Sequence, residues 1–217
     1  MSAIFLCATR PASKPMRLAA VLFSVFALAA ATPVSPTEKP GLYAVIETSE
    51  GTITAELYEK YTPVAVRTFV GLATGNVAWY DPAVKKMVKR PMYNGVKFHR
   101  VVREEMIQAG DPTGLGTHNC GFTIKDEFLP GLLFDRPGRL GIANTGRDDS
   151  GACQFFITVQ AIKAWNQHYT VFGQVVEGQD VVDRINRVKV QGEKPVVPVL
   201  IQRVVVRRVL VAEGGKK

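Results

Sequence analysis

The sequence predicts a mainly β protein, in which an antiparallel sheet closes into a barrel and two α-helices cap its open ends. Many short runs of β-branched and aromatic residues are separated by Gly- and Asn-rich turns. Only two segments carry apolar residues at helical spacing. The strands do not alternate regularly with helices, as they would in a parallel sheet, so we expect antiparallel pairing.

The first elements are a hairpin and a helix. Residues 43–48 form a β-rich run, and residues 52–57 alternate polar and apolar side chains with period two, which indicates a strand with one exposed face. Thr62 is the expected N-cap of the first helix and Pro63 its first helical residue. Gly75 is expected to end this helix.

The rest of the chain supplies further strands and one more helix. Residues 76–94 have no clear period and are expected to be irregular, and the Gly-rich residues 110–121 are expected to form a loop. The second helix should open at Gly178, because Val181, Val182 and Ile185 share one face. The predicted strands span residues 96–102, 106–109, 139–143, 154–159, 169–175 and 199–211.

The N-terminal region has the pattern of an export signal. Lys14 and Arg17 precede an uncharged apolar run that ends in alanines and is too short to span a bilayer comfortably. We therefore expect an exported protein, periplasmic or secreted, without stable membrane insertion after cleavage. The predicted organisation is a signal peptide at 1–31, a Pro-rich linker at 32–41, one domain at 42–213 and a tail at 214–217.

Composition excludes several classes of function. The chain has 217 residues, 47% of them hydrophobic, and a net charge of +8, part of which lies in the first 31 residues. Its cations are scattered, whereas a nucleic-acid surface needs them clustered with aromatic platforms, so no nucleic-acid partner is expected. The one dense cluster, residues 85–90, is predicted to be a solvated loop.

Metal and cofactor chemistry is not indicated. The three histidines, His99, His118 and His168, are far apart in the sequence, and no C-x-x-C pair occurs. The pair Gly114 and Gly116 follows no βα pattern, so it gives no dinucleotide signal. We expect neither a metal nor a cofactor.

The most informative stretch runs from residue 96 to residue 156. Strand-like segments within it offer Arg100, Met106, Gln108 and the pair Phe155-Phe156. These side chains suit neither hydrolysis nor redox chemistry. They suit a site that holds an apolar ring next to an amide group and contacts that amide with one fixed cation. The two phenylalanines must point to opposite faces of their strand, so one should fill the core and the other the site.

Five blocks, in this order and spacing, resemble the cyclophilin-type peptidyl-prolyl cis-trans isomerases. They are Phe98-His99-Arg100-Val101-Val102, Met106-Ile107-Gln108-Ala109-Gly110-Asp111, Gly141-Ile142-Ala143-Asn144-Thr145-Gly146, Gln154-Phe155-Phe156-Ile157-Thr158 and Tyr169-Thr170-Val171-Phe172-Gly173. The resemblance covers residues 42–211 and implies a closed eight-stranded antiparallel barrel with two capping helices. It also implies an isomerase of X–Pro bonds that needs no cofactor.

The resemblance assigns roles residue by residue. It implies a catalytic Arg100, positioned by Gln108. The implied substrate-binding residues are Met106, Ala143, Asn144, Gln154, Phe156, Trp165 and Tyr169. The implied partners are Pro-containing segments of folding proteins, and we expect a monomer.

Three positions depart from the family's pattern. Glu105 replaces an aromatic wall and is expected to place a carboxylate near Arg100. Either Trp165 stands where a leucine is common or its loop is one residue shorter than in the family, and Tyr169 stands where histidine is common. These departures leave open a second hypothesis, a cyclophilin-like module that binds Pro-containing segments without catalysis. A secreted barrel for small ligands is disfavoured, because the inward residues are bulky.

The resemblance also bears on two cysteines. In the family, the segments that hold Cys120 and Cys153 border the same secondary pocket. Together with the expected export to an oxidising compartment, this motivates the hypothesis of a disulfide between them.

Overall fold

The computed structural model describes residues 39–210, and it consists mainly of antiparallel β-structure with two α-helices and one short 3₁₀ helix. The predicted signal peptide, most of the predicted linker and the predicted tail lie outside the described residues. The strands are β1 (Gly41–Thr48), β2 (Gly51–Leu57), β3 (Trp79–Asp81), β4 (Lys86–Val88), β5 (Arg100–Val102), β6 (Met106–Ala109), β7 (Arg139–Ile142), β8 (Phe155–Thr158), β9 (Val171–Glu177), β10 (Val190–Gln191), β11 (Lys194–Pro195) and β12 (Ile201–Val209). The helices are α1 (Pro63–Thr74), α2 (Gln179–Asn186) and the 3₁₀ turn Lys163–Trp165.

Eight strands form one curled antiparallel sheet in the order β12-β1-β2-β9-β7-β8-β6-β5. No continuous ladder joins the outer strands β5 and β12. Their edges meet instead through residues just before each strand, where Phe98 N–H donates to Val199 O (2.9 Å) and Ile201 N–H donates to Val96 O (2.7 Å). The mainly β architecture with two helices is confirmed, whereas full closure of the barrel stays a prediction.

Most predicted strands occur, with boundaries shifted by a few residues. The first hairpin and the strand at Met106–Ala109 are present as expected. The strand predicted at 96–102 is reduced to Arg100–Val102, because residues 96–98 bond to residues 199–201 across the sheet edges rather than to β6. The last strand is also shorter than predicted and runs from Ile201 to Val209.

The prediction that residues 76–94 are irregular is wrong in part, since β3 and β4 form a small separate hairpin. Trp79 anchors it: the indole is buried and donates to Arg90 O at 2.9 Å. Three-residue strands are too short to show a period in the sequence, so this hairpin gave no signal.

Within the predicted solvated loop at residues 85–90, residues 86–88 form strand β4. Lys85, Lys86 and Lys89 are exposed, as expected for a solvated cluster. Arg90 differs from them, because it lies over the Trp79 ring at 5.1 Å and pairs with buried Asp81. The cluster therefore contains one structural cation.

Helix α1 begins and ends at the predicted residues. Gly75 follows its last residue with φ of 79°, a left-handed conformation that favours glycine. Thr62 occupies the N-cap position, but its side chain makes no capping bond. The carboxylate of Glu127 caps the helix instead, because its oxygens accept hydrogen bonds from Val64 N–H (3.0 Å) and Ala65 N–H (2.9 Å).

Helix α2 starts after Gly178, as predicted, and buries Val181, Val182 and Ile185. Its last residue, Asn186, is also buried and ties the helix to the turn between β5 and β6. The Asn186 amide donates to Val102 O (2.8 Å) and to Met106 O (3.1 Å). Within residues 39–210, neither helix has the length and apolar character needed to cross a membrane.

Candidate active site

An open groove of about 470 Å³ lies on one side of the sheet. It brings together eight of the nine predicted site residues: Arg100, Met106, Gln108, Ala143, Asn144, Phe156, Trp165 and Tyr169. The ninth, Gln154, lines an adjoining smaller pocket that shares Gln108, Ala143 and Asn144 with the groove.

Strand register explains why these residues meet. Arg100 of β5 lies opposite Gln108 of β6, and Gln108 lies opposite Phe156 of β8. Directly paired residues share a face of the sheet, so the three side chains form a row across it. Phe155 points to the other face and packs in the main core against Phe69, as the alternation requires.

One end of the groove is a pocket of aromatic rings. Phe156, Trp165 and Tyr169 contact each other edge-to-face, with ring centroids 5.1–5.7 Å apart. Phe134, which is fully buried, stacks on Phe156 at 5.5 Å and closes the bottom of the pocket. Met106 packs in the same cluster. The result is a pocket lined by aromatic and thioether groups.

The backbone of Gly141 supports the Phe156 ring from behind. Gly141 lies opposite Phe156 in the β7–β8 ladder, and a Cβ atom at this position would overlap the ring. The glycine is needed here for close approach of a ring to backbone, and not for an unusual φ angle.

The other end of the groove is polar and is held by a chain of amides. The Gln154 amide donates to His118 O (2.9 Å) and Gly116 O (3.1 Å), and its oxygen accepts from the Gln108 amide at 2.9 Å. The Gln108 oxygen in turn lies 3.4 Å from Nη1 of Arg100. Gln154 and Gln108 thereby connect the Gly-rich loop to the guanidinium.

The carboxylate beside Arg100 belongs to Glu193 and not to Glu105 as expected. Nε of Arg100 donates to Glu193 Oε2 at 2.5 Å, and Nη2 lies 3.3 Å from Oε1. The hydrogen bond from Arg100 lowers the pKa of Glu193, which is therefore charged at neutral pH. Glu105 is half-buried in the β5–β6 turn and does not line the groove.

His99 also lines the groove. Phe98 packs in the main core, whereas its neighbour His99 is buried beside the groove, as alternation along an extended segment requires. Burial lowers the pKa of His99, and the nearby Asp111 and Gln154 only partly oppose this effect.

The hypothesis of a disulfide is confirmed, since Cys120 and Cys153 are bonded with their Cα atoms 6.1 Å apart. The bond joins the Gly-rich loop to the residue just before Gln154. Residues 39–210 contain no group of three or more side chains suited to hold a metal ion.

Residues 43–206 match the family model described as cyclophilin type peptidyl-prolyl cis-trans isomerase/CLD. The chain belongs to this cyclophilin family. The match covers nearly all of the described domain, which agrees with the five sequence blocks and with the groove they build.

Curated relatives of this cyclophilin carry the family's activity in their names. Peptidyl-prolyl cis-trans isomerase A of Mycobacterium tuberculosis is 39% identical over 166 residues, 75% of this chain and 91% of that protein. Peptidyl-prolyl cis-trans isomerase B of Streptomyces anulatus is 39% identical over 169 residues, 76% of this chain and 96% of that protein. The human peptidyl-prolyl cis-trans isomerase-like 1 is 36% identical over 167 residues, 76% of this chain and 90% of that protein.

Solved structures show the same fold. A cyclophilin type peptidyl-prolyl cis-trans isomerase of Cryptosporidium parvum superposes with a TM-score of 0.67 at 26% identity, covering 77% of this chain and 98% of that one. The same protein in the presence of the dipeptide Ala-Pro gives a TM-score of 0.66.

Sequence reasoning missed several groove residues. Glu193 lies in a two-residue turn, and Leu115 and Lys194 are exposed on the rim. Phe134, which packs under the Phe156 ring, lies in a segment without regular structure. Only the turn left a trace in the sequence, since a glycine before Glu193 between two short β-like runs is typical of a tight hairpin.

Proposed function

We propose that this cyclophilin accelerates cis–trans rotation of X–Pro bonds in folding proteins, with Arg100 as the catalytic residue. The observation that carries the proposal is the placement of Arg100. Its guanidinium is tethered by Glu193 and Gln108 at the edge of a groove whose other end, lined by Met106 and Phe156, fits a proline ring.

The chemistry of the X–Pro bond explains why its rotation can be accelerated by a cationic hydrogen-bond donor. An X–Pro bond resists rotation because the nitrogen shares its lone pair with the carbonyl group, and exchange without a catalyst takes tens of seconds or longer. Rotation breaks this conjugation and makes the nitrogen a better acceptor. A donor aimed at the nitrogen therefore binds the twisted state more tightly than the planar one, as catalysis requires. Arginine suits this role, because it stays protonated and its fork is rigid.

The magnitude shows that Arg100 does not act alone. An increase from about 10⁻² to about 10³ s⁻¹ corresponds to roughly 7 kcal/mol, whereas one charge-assisted hydrogen bond contributes about 1.5–3 kcal/mol. The remainder must come from the dry aromatic pocket and from anchoring of the peptide chain.

Ala143 and Asn144 are suited to anchor that chain. Ala143 N–H is already bonded to Gln154 O at 2.9 Å, and the Asn144 amide donates to His168 O at 2.8 Å. These bonds fix the edge of the groove, and the backbone N–H and C=O of Asn144 make no hydrogen bond within residues 39–210. We assign these two groups to pairing with the substrate backbone.

Exchange spectroscopy on an Ala-Pro peptide, together with a binding titration, tests the function. The isomerase shows exchange cross-peaks between the cis and trans forms at catalytic amounts of protein. The second hypothesis, a module that only binds, predicts a saturable complex without faster exchange. That outcome would overturn the proposal.

We further propose that the protein is exported and works as a monomer. The apolar run after Lys14 and Arg17 supports export, and so does the Cys120–Cys153 disulfide, which is typical of an oxidising compartment. A fusion of residues 1–41 to a reporter that folds only after export should be active. An inactive fusion would contradict export, and sedimentation of the exported chain measures its oligomeric state.

We also infer that the sheet closes into a barrel. The bonds from Phe98 N–H to Val199 O and from Ile201 N–H to Val96 O support closure. In hydrogen exchange, both amides should be protected as strongly as those of the central strands. Rapid exchange at both would instead indicate an open sheet.

A further inference from the structure

Glu193 occupies a position that the fold fixes closely. It is the second residue of the two-residue turn between β10 and β11, and Gly192, the first, has φ of 64°. Such turns place a glycine at the first central position, which explains the Gly-Glu pair. The hairpin is closed by Val196 N–H, which donates to Lys189 O at 2.9 Å.

The same hairpin is bound to the strand that carries Arg100. Val101 N–H donates to the backbone oxygen of Glu193 at 2.7 Å. The bond attaches the turn one residue beyond Arg100, so the Glu193 side chain reaches the guanidinium from the side. Backbone geometry, and not a chance meeting of two long side chains, brings the two charges together.

The contact leaves a defined part of the guanidinium unoccupied. Arginine has five N–H groups. Glu193 accepts from Nε and from one N–H of Nη2, and Gln108 lies within reach of one N–H of Nη1. Two N–H groups therefore remain, one on each terminal nitrogen.

Stability does not account for this ion pair. The Arg100 and Glu193 side chains are 45% and 52% exposed, and pairs as exposed as these contribute little to folding. We expect the ion pair to matter more for the orientation of the Arg100 guanidinium. A free arginine side chain samples many rotamers, and only some of them direct a donor into the groove.

We propose that Glu193 is a positioning residue, which holds the Arg100 guanidinium side-on so that its two remaining N–H groups face the X–Pro bond. The inference rests on the proposed function and deepens it. On this proposal Glu193 acts through Arg100, so its contribution should vanish when Arg100 is absent.

Exchange spectroscopy on the Ala-Pro peptide at neutral pH compares Glu193→Ala, Glu193→Gln and a control, Glu47→Ala. Glu47 pairs with Arg203 at 2.6 Å on an exposed face outside the groove. Glu193→Ala should lower kcat/KM about fivefold, because the guanidinium loses its tether. Glu193→Gln, which can still accept from Nε, should lose about twofold, and Glu47→Ala should match the wild type.

The pH profile gives a readout that a merely structural residue would not change. The pKa of Glu193 is lowered below its ordinary value of 4.5, so the ion pair persists at neutral pH and is lost only as pH falls below that value. The wild type should therefore lose activity on this acid limb. Glu193→Gln has no carboxylate to protonate at position 193, so its activity should fall less than that of the wild type as the pH is lowered.

Variants made in the Arg100→Ala background distinguish an error in this inference from an error in the proposed function. If Arg100→Ala is as active as the wild type, the catalytic assignment itself fails. If Arg100→Ala is impaired and Glu193→Ala is as active as the wild type, or more active, only the positioning role is overturned. A further loss on adding Glu193→Ala to Arg100→Ala would also overturn it, since it would indicate an effect that does not act through Arg100.

Discussion

The Phe156 ring lies directly against the backbone of Gly141, and this close approach determines the depth of the aromatic pocket. Any side chain at position 141 must displace the ring, because a Cβ atom there would overlap it. Phe134 stacks on the ring and blocks its movement away from the groove, so we expect the ring to shift towards the groove.

Gly141→Ala should therefore narrow the proline pocket while the fold is kept. Overpacking costs about 1–3 kcal/mol, and here much of it should appear as weaker peptide binding. Titration with a Pro-containing peptide should show a raised Kd, with circular dichroism unchanged. Gly131→Ala is the matched control, because a Cβ atom there meets nothing within 4 Å. Unchanged binding by Gly141→Ala would contradict this account of the pocket.

Individual site residues differed in how far the sequence could predict them. Arg100, Gln108 and Phe156, which the sequence nominated, lie together in the groove, because they stand on strands whose pairing aligns them. Phe134 gave no signal, since its packing is decided by tertiary contacts of a segment without periodic pattern. Glu105 misled the prediction, because proximity in sequence suggested a contact that Glu193 makes through a distant hairpin.

At the scale of elements, helix α1 depends on a carboxylate from another part of the chain. Glu127 accepts from two N–H groups of its first turn, where the helix dipole also favours a negative charge. Thr62 Oγ1 lies 3.4 Å from Tyr58 O and leaves those groups to Glu127.

Glu127→Ala should lower the free energy of unfolding by about 0.5–2 kcal/mol, the range measured for lost caps. Urea unfolding monitored by fluorescence measures the loss. Glu177→Ala removes an exposed carboxylate from β9 and serves as the control. Equal stabilities of the two variants would show that Glu127 does not cap the helix.

The elements that the sequence predicted best have strong local signals. Both helices combine an apolar stripe with glycine at one end, and the first hairpin alternates along its second strand. The hairpin of β3 and β4 depends on the buried indole of Trp79, and the hairpin of β10 and β11 on its contact with β5. Neither contact leaves a periodic pattern in the sequence.

At the scale of the whole molecule, two aspartates make folding sensitive to acid. The hydrogen bond from Arg90 lowers the pKa of Asp81, and bonds from Arg136 and Arg139 lower the pKa of Asp135. Their folded pKa values lie below the ordinary 3.8, so both carboxylates stabilise the fold above that pH. This stabilisation is lost as pH falls through the folded values.

The free energy of unfolding should therefore decrease from pH 5 to pH 2.5, as measured by urea unfolding at several pH values. Asp81→Asn should be less stable at pH 5 and should show a shallower decrease. Asp148→Asn, which changes an exposed turn residue, should follow the wild type. An Asp81→Asn curve parallel to the wild type would contradict the assignment to Asp81.

The overall architecture was predictable from the sequence, whereas the predicted closure of the barrel stays a prediction. Many strands with two helices predicted an antiparallel sheet closed into a barrel, and the family blocks implied eight strands, the number in the observed curled sheet. The contact between the sheet edges joins residues about 100 positions apart through isolated backbone bonds, such as that from Phe98 to Val199. Backbone bonds of this kind do not depend on side-chain identity, so the sequence carries little record of them.

The central claim is that the guanidinium of Arg100 stabilises the twisted X–Pro bond. Exchange spectroscopy on an Ala-Pro peptide, with wild type and Arg100→Ala at equal saturation, tests it most directly. We predict that Arg100→Ala lowers the exchange rate about 10- to 150-fold, the equivalent of one charge-assisted hydrogen bond, and binds the peptide with similar Kd. An exchange rate equal to that of the wild type would contradict the account.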